Sequence, residues 1–341
     1  MFEEYIESIY KPVEYPALWE QRKAWIKTKP LKGYRLLDAS PVFRNSLVKY
    51  DALLAAGASL SIGFSKKIPN DPFILKIIIE RGLSIYSTEE AAVSWDIVLD
   101  CAAQFAHVDS KYGFVELTRS GVSVYEKSNK PVYVADSSEI KKIETSLGTG
   151  ESYFRAMKEF GFSDWKEKEL LVFGSGKVGS GIITHALRLG AKITVVTDSL
   201  LYEQELYALG VSSVVDFKEL SAVAKKIVLA DFIVTATGIK NALNHPEWVR
   251  ALLKTNAVLG NMGVEDEYGD PIPEKRVLYA KEPLNFSLQE PTQLKFIDAT
   301  LALHNALGLA LLKTSGSGIR SIPVEIEQHI LEITRQNGEI L

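Results

Sequence analysis

The sequence has little cysteine and no surplus of positive charge. Its 341 residues include one cysteine, Cys101, which cannot form a disulfide within the chain. Lys and Arg number 39 and Asp and Glu number 43, so the formal net charge is −4. Because binding to a phosphate backbone depends on a basic surplus, we expect no nucleic-acid partner. The single cysteine indicates a reducing compartment, and we expect a cytoplasmic protein.

Long apolar runs are also missing. The opening MFEEYIESIY is too acidic, and its apolar run too short, for a secretory signal. The longest apolar candidate, LALHNALGLALL, is interrupted by His304 and Asn305 and falls short of the roughly 20 residues of a membrane span. The sequence therefore predicts a soluble protein with no membrane partner.

Apolar residues make up 46% of the sequence, enough for more than one hydrophobic core. At about 150 residues per domain, the length predicts about two domains. In the first third, β-branched runs alternate with amphipathic stretches, which predicts a parallel sheet covered by helices. The strands predicted there are 34–39, 59–63, 85–87 and 96–101, and the helices are 42–55 and 72–81.

A second alternation begins after a helical stretch over 136–160. Gly148 and Gly150 interrupt that stretch, and because glycine costs roughly 1 kcal/mol in a helix interior, they predict a break or bend. The strands predicted beyond it are 169–173, 192–197, 231–235, 257–260 and 276–279, with a short one near Val214. The predicted helices are 177–189, 201–209, 217–226, 292–313 and a last one opening at Pro323.

A glycine-rich turn joins a predicted strand to a predicted helix. The segment ELLVFGSGKVGSG places Gly174, Gly176 and Gly179 in the GxGxxG spacing. Gly174 would allow the tight turn and Gly176 the approach of a pyrophosphate to the main chain. Gly179 would let the helix pack closely on the strand. This combination of strand, turn and helix predicts a dinucleotide site.

The helix after the turn begins with Lys177 and Val178, and its free N–H groups would hold the phosphates. Asp198 closes the next strand 19 residues after Gly179, where a carboxylate can accept both ribose hydroxyls. No Lys or Arg occurs over 199–209 to hold a 2′-phosphate, which favours NAD over NADP. The alternative is a tight strand-to-helix turn that binds nothing. A P-loop is excluded, because GxxxxGK[ST] needs four residues between its glycines.

Two later strand ends carry small or polar residues. Ligands of open parallel sheets bind beyond the carboxyl ends of the strands, so we expect both ends to face the nicotinamide half of the cofactor. Ordinary strand-ending turns are the alternative. The residues concerned are Thr235, Ala236, Thr237, Gly238, Asn261 and Gly263.

These patterns together predict an α/β protein with two doubly wound parallel-sheet domains, the second a Rossmann NAD-binding domain. We expect a substrate or catalytic domain over 1–145 plus 290–322 and the NAD-binding domain over 146–289. A C-terminal helix is expected over 323–341.

Longer segments carry a family resemblance. The run PVYVADSSEIKKIETSLGTGESYFRAMKEF is followed by VFGSGKVGSGIITHALRLGAKITVV and then by VTATG and GNMG. This series resembles adenosylhomocysteinase, the NAD-dependent S-adenosylhomocysteine hydrolase. The segment PLKGYRLLDASPVFRNSLVKYDALLAAGASL also looks like the amino-terminal substrate domain of that family.

The resemblance implies two α/β domains around a cleft, joined by hinge helices, with tightly held NAD. It also implies a homo-oligomer, a dimer or tetramer, and a role of Thr118, Ser120 and Thr145 in holding the cofactor. The family oxidises a ribose 3′-hydroxyl with NAD, eliminates a thiol, adds water and reduces the ketone back. Such chemistry needs a positioned base and groups that stabilise negative charge.

Several positions that match the family's substrate-site residues differ in this sequence. The family's early histidine, second aspartate, second glutamate, hinge lysine and later histidine fall on Pro41, Cys101, Leu117, Ile140 and Val264. The differences remove groups for proton transfer and nucleoside recognition. They imply a small-molecule substrate that differs from S-adenosylhomocysteine.

Three residues remain as catalytic candidates. Glu144 and Lys141 lie at or beside positions that the resemblance makes catalytic, and they are three residues apart on one helix face. Asp100 ends an apolar strand, where a ligand-facing carboxylate is expected. The alternatives are a solvated helix pair for the first two and a cap or turn residue for Asp100. No His, Cys or Asp cluster has metal-ligand spacing, so no metal is expected.

The sequence therefore supports three interpretations of function. The first is an NAD-dependent oxidoreductase that acts on a small molecule. The second keeps the hydrolysis of S-adenosylhomocysteine. The third is a catalytically silent NAD-binding protein that acts through partners.

Overall fold

Two parallel β-sheets organise the chain. The computed structural model describes residues 1–340. One compact unit comprises Met1–Ile143 and the chain from Gln293 onward, and the other comprises Glu144–Thr292. Each unit is an open parallel sheet covered by helices, which confirms the predicted α/β class with two doubly wound sheets.

The bounds of the elements are as follows. The strands are β1 (Arg35–Asp38), β2 (Ser59–Phe64), β3 (Ser84–Ser87), β4 (Trp95–Asp100), β5 (Ser110–Glu116), β6 (Pro131–Val134), β7 (Glu169–Phe173), β8 (Lys192–Thr197), β9 (Ser213–Asp216), β10 (Phe232–Thr235), β11 (Val258–Asn261) and β12 (Gly318–Arg320). The α-helices are α1 (Glu3–Glu7), α2 (Pro16–Thr28), α3 (Ser46–Ala55), α4 (Pro72–Glu80), α5 (Val122–Tyr125), α6 (Ile140–Lys142), α7 (Gly150–Glu159), α8 (Lys177–Arg188), α9 (Ser199–Ala208), α10 (Leu220–Leu229), α11 (Pro246–Lys254), α12 (Leu294–Leu311) and α13 (Val324–Asn337).

The first unit has the strand order β12-β6-β5-β4-β1-β2-β3, with every described pair parallel. The chain begins at β1, winds outward to β3 and then returns to the other side at β4. The order therefore reverses between β1 and β4, where doubly wound sheets hold their ligands. Asp38 and Asp100, the last residues of these two strands, are both fully buried at this point.

Helix α12 lies in the core of the first unit. Over Leu294–Leu311 it is long and apolar enough to cross a membrane by composition alone, but 72% of it is buried inside the protein. It packs against β4, β5 and helices α2 and α3. Because its apolar surface is covered by the first unit itself, the helix is a core element of that unit.

The second unit has the order β11-β10-β7-β8-β9, again all parallel. Alternate residues of β7 enter two separate cores, since Leu170 and Val172 pack on one face and Leu171 and Phe173 on the other. The order reverses between β7 and β10. The glycine-rich turn follows β7 directly, and Ala236 follows β10, so both stand at the reversal.

The predicted strand over 276–279 is wrong. Val277 forms one isolated parallel bridge to Leu259, beside β11, but no strand continues from it. The three residues Tyr279, Ala280 and Lys281 all have left-handed backbones, with φ of 54°, 50° and 68°. Such a backbone cannot extend a β-ladder, so the segment folds into short 3₁₀ turns instead.

The chain does not break at Gly148 and Gly150, where a break or bend was predicted. Helical structure continues from α6 into α7, but through a π-helical segment, Ile143–Thr149, and Gly150 serves packing. A Cβ on Gly150 would lie 2.6 Å from the Cα of Gly181 in α8. One added to Gly181 would overlap the carbonyl oxygen of Ser146. The two glycines therefore let α7 and its π-helical start lie directly on α8.

Candidate functional site

The glycine-rich turn has the geometry that its sequence predicts. Gly174 has φ +96°, a conformation that L-residues rarely adopt, and a Cβ there would lie 2.6 Å from the carbonyl oxygen of Ala236. A Cβ on Gly179 would overlap the carbonyl oxygen of Gly174. The fold thus needs both glycines: Gly174 allows the tight turn, and Gly179 allows α8 to pack closely on the sheet.

Gly176 differs from its two neighbours. Its φ of −66° is open to any residue, and a Cβ added to it would meet no atom within 4 Å. The fold therefore has no need of glycine at this position. Gly176 is the N-cap of α8, a helix of 12 residues, so bare main chain faces open space at the N-terminus of this helix. We call this main chain, from Gly176 through the first turn of α8 (Lys177 to Gly179), the phosphate cradle. It fits the pyrophosphate of a dinucleotide, which this turn would hold.

Asp198 lies where the adenosine ribose is expected. It follows β8 as the N-cap of α9, and its Oδ1 accepts a hydrogen bond of 3.2 Å from the Leu200 N–H. The neighbouring Thr197 hydroxyl lies 2.7 Å from the Ser175 hydroxyl inside the glycine turn. The end of β8 and the turn are thus tied together, which keeps the carboxylate and the phosphate cradle at a fixed spacing.

The predicted residues at the end of β10 and in the loop after it form hydrogen bonds within the protein. The Thr235 hydroxyl donates to Asn261 Oδ1 at 2.9 Å. Glu267 accepts hydrogen bonds from the Thr237 N–H at 3.0 Å, the Thr237 hydroxyl at 2.8 Å and the Gly238 N–H at 2.7 Å. Their hydroxyl and N–H groups are therefore engaged inside the protein. These residues set the shape of the loop that faces the reversal.

Asn261 and Gly263 have a similar internal role. The Asn261 amide is fully buried and donates to the carbonyls of Gly263, Glu265 and Lys281 at 2.7 to 3.1 Å. Its Oδ1 also accepts from the Gly263 N–H at 3.0 Å. Because both ends of the amide are in use, Asn261 orders the loop after β11. Contact of its side chain with a cofactor stays a prediction.

Glu267 is a site residue that the sequence reasoning missed. Burial raises the pKa of its carboxyl, and hydrogen bonds from the loop after β10 work in the opposite direction. Gly263 lies against it, since a Cβ there would overlap Glu267 Oε1. The signal that could have found it is its place, six residues after a strand end in an acidic loop, GVEDEYGD.

Asp100, a predicted catalytic residue, is buried at the end of β4. Its Oδ1 accepts from the Cys101 N–H at 2.8 Å, and its Oδ2 from the Phe105 N–H at 3.0 Å and the Tyr125 hydroxyl at 2.5 Å. Burial raises the pKa of Asp100 to about 7, and the nearby Glu116 carboxylate adds to the effect. The group holds the loop after β4, and catalysis by it stays a prediction.

This raised pKa predicts a pH dependence of stability. An acid whose pKa is higher in the fold than in the unfolded chain keeps its proton longest in the native state, so it stabilises the fold below its unfolded pKa. That contribution is lost as pH rises from about 4 to about 7. In Asp100→Asn, we expect unfolding free energy to fall less steeply over this range, by on the order of 4 kcal/mol in total.

The measurement is urea unfolding of both proteins at a series of pH values. Glu203→Gln, a change at an exposed carboxylate on α9, is the matched control and should leave the slope unchanged. Parallel curves for the wild type and Asp100→Asn would show that Asp100 is already ionised in the fold.

The other two catalytic candidates lie in different units. Lys141 is buried in α6, and Glu144 is half-buried in the π-helical segment of the second unit. The exposed pair expected from this sequence is formed instead by Lys142 and Glu139, at 2.7 Å. Lys141 is therefore no solvated surface lysine. Thr145, a predicted cofactor residue, is half-buried in the same segment as Glu144.

Thr118 and Ser120, the remaining predicted cofactor residues, follow β5. The Thr118 hydroxyl donates to Glu116 Oε1 at 2.7 Å and lies 2.8 Å from the Ser120 hydroxyl. The structure thus places both at the carboxyl edge of the first sheet, where Thr118 bonds to a buried carboxylate and Ser120 to Thr118. Their contact with a cofactor stays a prediction.

A buried charged cluster beside the reversal of the first sheet was also missed. Lys49 in α3 forms an ion pair with Asp38 at the end of β1, and both side chains are fully buried. Lys49 Nζ also donates to the Ser40 hydroxyl at 2.8 Å and lies 3.0 Å from His304 Nδ1. His304 Nε2 donates to the Val115 carbonyl at 2.9 Å, and burial holds the pKa of His304 well below its usual range. A neutral His304 accepts from Lys49 through Nδ1.

Comparisons with known proteins agree with the fold and the cofactor. The family model for shikimate / quinate 5-dehydrogenase matches residues 155–264. The adenosylhomocysteinases of Sulfurisphaera tokodaii and Saccharolobus solfataricus are each 24% identical to this chain, over 278 and 277 residues. The matches cover 74% and 73% of this chain but only 65% and 64% of those relatives' own length.

A solved structure, that of one subunit of the dipicolinate synthase from Bacillus halodurans, has the same fold. It superposes with a TM-score of 0.55 at 14% identity, and the match covers 83% of this chain and 99% of that chain. At this identity the likeness shows the fold alone. Taken together, the comparisons support NAD as the cofactor and an NAD-binding, adenosylhomocysteinase-like scaffold.

Proposed function

We propose that this protein is an NAD-dependent oxidoreductase that acts on a small molecule other than S-adenosylhomocysteine. The observation that carries the proposal is Gly176, where the fold leaves open a space that a dinucleotide pyrophosphate would fill. A glycine that neither its φ nor its neighbours require points to a ligand at that position. The phosphate cradle lies where the strand order of a parallel sheet reverses, which is where such sheets usually bind nucleotides.

Two positions that differ from the family's substrate-site residues support a different substrate. Pro41 follows β1 and Cys101 follows β4, so the two positions where the family resemblance expects a histidine and an aspartate carry neither an imidazole nor a carboxylate. The Lys49–Asp38 pair at the end of β1 is fully buried and closed off from solvent. These residues support binding of a substrate that needs neither of the lost groups.

The chain's own residues supply binding and proton transfer. When NAD is bound, its nicotinamide supplies the hydride acceptor for oxidation of an alcohol or amine carbon. Glu267 fixes the loop of Thr237 and Gly238, and Ser175 joins the glycine turn to β8. Glu144, a half-buried carboxylate, is the base that we propose takes the proton from the substrate hydroxyl. Asp100 has every oxygen bonded, so we assign it the positioning of the loop after β4.

A second candidate function is the hydrolysis of S-adenosylhomocysteine. The observation in its favour is the extent of similarity, since the adenosylhomocysteinase matches run over about three quarters of this chain. Under this alternative, Glu144 and Lys141 would do the family's proton transfers from shifted positions.

One assay series separates the two candidates. We expect purified protein to reduce NAD with at least one member of a panel of secondary alcohols, hydroxy acids and amines, followed by the absorbance of reduced nicotinamide. S-adenosylhomocysteine, followed by release of homocysteine, is expected to give only the background rate. Gly176→Val is the matched control and should remove all NAD reduction. A clear rate of homocysteine release would replace the proposal by the second candidate, and no turnover with any compound would contradict both.

A further inference from the structure

We propose that the first unit binds its substrate as an organic acid, in a cavity at the carboxyl edge of its sheet. The proposal rests on the proposed function in one respect, that the bound acid is the molecule to be oxidised. The cavity has a volume of about 690 Å³, within the range of small-molecule sites. It is lined by the ends of β2 and β3 and by the loop after β4, all parts of the first unit.

The loop after β4 is held in a strained shape. Ala102 and Ala103 have φ of 54° and 52°, a left-handed backbone that alanine rarely adopts. Glu116 holds both, since its Oε1 accepts from the Ala102 N–H at 2.9 Å and its Oε2 from the Ala103 N–H at 2.8 Å. Asp100 holds the far end of the same loop through the Phe105 N–H. Two buried carboxylates thus over-determine one short loop, and strain maintained in this way is characteristic of functional sites.

The strained loop forms one wall of the cavity. Gln104 Oε1 accepts from the Ser65 hydroxyl at 2.9 Å, which joins the loop to the end of β2, and Ser65 itself is buried. His107 Nε2 donates to the Thr88 carbonyl at 2.9 Å, which joins it to the segment after β3. The wall is therefore fixed before any ligand arrives, as preorganised binding requires.

The charges that line the cavity favour an anion. Lys66 and Lys67 both line it, and over residues 1–340 neither is within 4 Å of a carboxylate oxygen. Glu89 is the acidic residue of the lining, and hydrogen bonds from its own backbone and from the Thr88 hydroxyl hold its pKa below the usual range. Two lysines against one carboxylate leave a net charge of +1 before any contribution of His107.

The lining favours a carboxylate over a phosphate. Proteins commonly hold phosphates with glycine-rich main chain or the N-terminus of a helix, as at Gly176. The lining residues contain neither, and offer two lysines beside one phenyl ring. Phe64 and Ala92 would contact the carbon skeleton, and Lys66 and Lys67 would pair with the carboxylate oxygens. The shared chemistry is an oxyanion, and the two sources can be separated by experiment.

The test measures binding in the absence of NAD. Calorimetric titration with succinate should show saturable binding, whereas its neutral dimethyl ester and inorganic phosphate should bind at least tenfold more weakly. The variant Lys66→Ala/Lys67→Ala should lose at least tenfold in succinate affinity. Lys76→Ala, an exposed lysine on α4 that is outside the lining, is the matched control and should bind like the wild type. A second reading, the NMR signal of the His107 ring, should shift on addition of succinate.

Several results would overturn the proposal. No saturable binding of succinate together with an unmoved His107 signal would do so, and so would equal affinity of the lysine variant and the wild type. Tighter binding of phosphate than of succinate would replace the carboxylate by a phosphate group. Because no step uses NAD, loss of this binding and loss of cofactor chemistry are separate failures.

Discussion

Replacing Gly176 with valine is expected to weaken NAD binding by on the order of 100-fold or more, with little change in folding. The residue has φ −66° and ψ −169°, which valine adopts readily, and a Cβ there meets no protein atom within 4 Å. The new side chain would instead fill the space in which the pyrophosphate must lie against main chain. Calorimetric titration with NAD, beside a urea unfolding curve, measures both effects.

The matched control is the neighbouring Gly174. Gly174→Ala would force a side chain into φ +96° and against the Ala236 carbonyl at 2.6 Å, so we expect this variant to lose stability. The two variants therefore distinguish a glycine that cofactor binding requires, Gly176, from a glycine that folding requires, Gly174. If Gly176→Val bound NAD as the wild type does, the dinucleotide would lie elsewhere and the proposed function would lose its main support.

Replacing Lys49 with methionine is expected to lower the free energy of unfolding by about 3 to 5 kcal/mol. Lys49 and Asp38 are both fully buried, and Lys49 also donates to the Ser40 hydroxyl and to His304 Nδ1. Methionine fills a similar volume but leaves the Asp38 carboxylate without its cation in a region closed to water. The cost is therefore that of an uncompensated buried charge, which urea unfolding at neutral pH would measure.

Two further variants test the physical cause. Asp38→Asn/Lys49→Met removes both charges together and should recover most of the stability lost in Lys49→Met. Lys142→Met breaks the exposed pair with Glu139 and should change stability by less than about 1 kcal/mol. A double variant as unstable as Lys49→Met would show that packing of the lysine stem, and not charge, carries the effect.

Local patterns in the sequence predicted the second unit well. The strands over 169–173 and 192–197 have the predicted bounds, because β-branched runs and a glycine turn are readable over short distances. The cofactor turn was predictable for the same reason. The prediction of a strand over 276–279 was wrong because three successive residues there have left-handed backbones. The last of them, Lys281, contacts Asp266 and the Gly269 carbonyl. These contacts are distant in sequence, so no local pattern indicates them.

The residues of the first unit show where sequence reasoning ends. Asp100 was singled out because it ends an apolar strand, and the same argument applies to Asp38, which ends β1. What the sequence could not supply was the partner, since Lys49 reaches Asp38 from α3, and His304, which contacts Lys49, lies in α12, 255 residues beyond Lys49. Likewise, nothing local indicates that Glu116 would bind the backbone of Ala102 and Ala103.

The contact between α7 and α8 links helix packing to the proposed cofactor site at the start of α8. Gly150 and Gly181 bring the two helices together with no room for a single methyl group on either. Helix α8 begins at the phosphate cradle. A larger residue at Gly181, in the middle of the helix, would displace α8 and would therefore also move its first turn. We therefore expect affinity for the nucleotide to depend on side-chain volume at Gly181, and a screen for weakened cofactor retention should recover changes at Gly181 as well as in the turn itself.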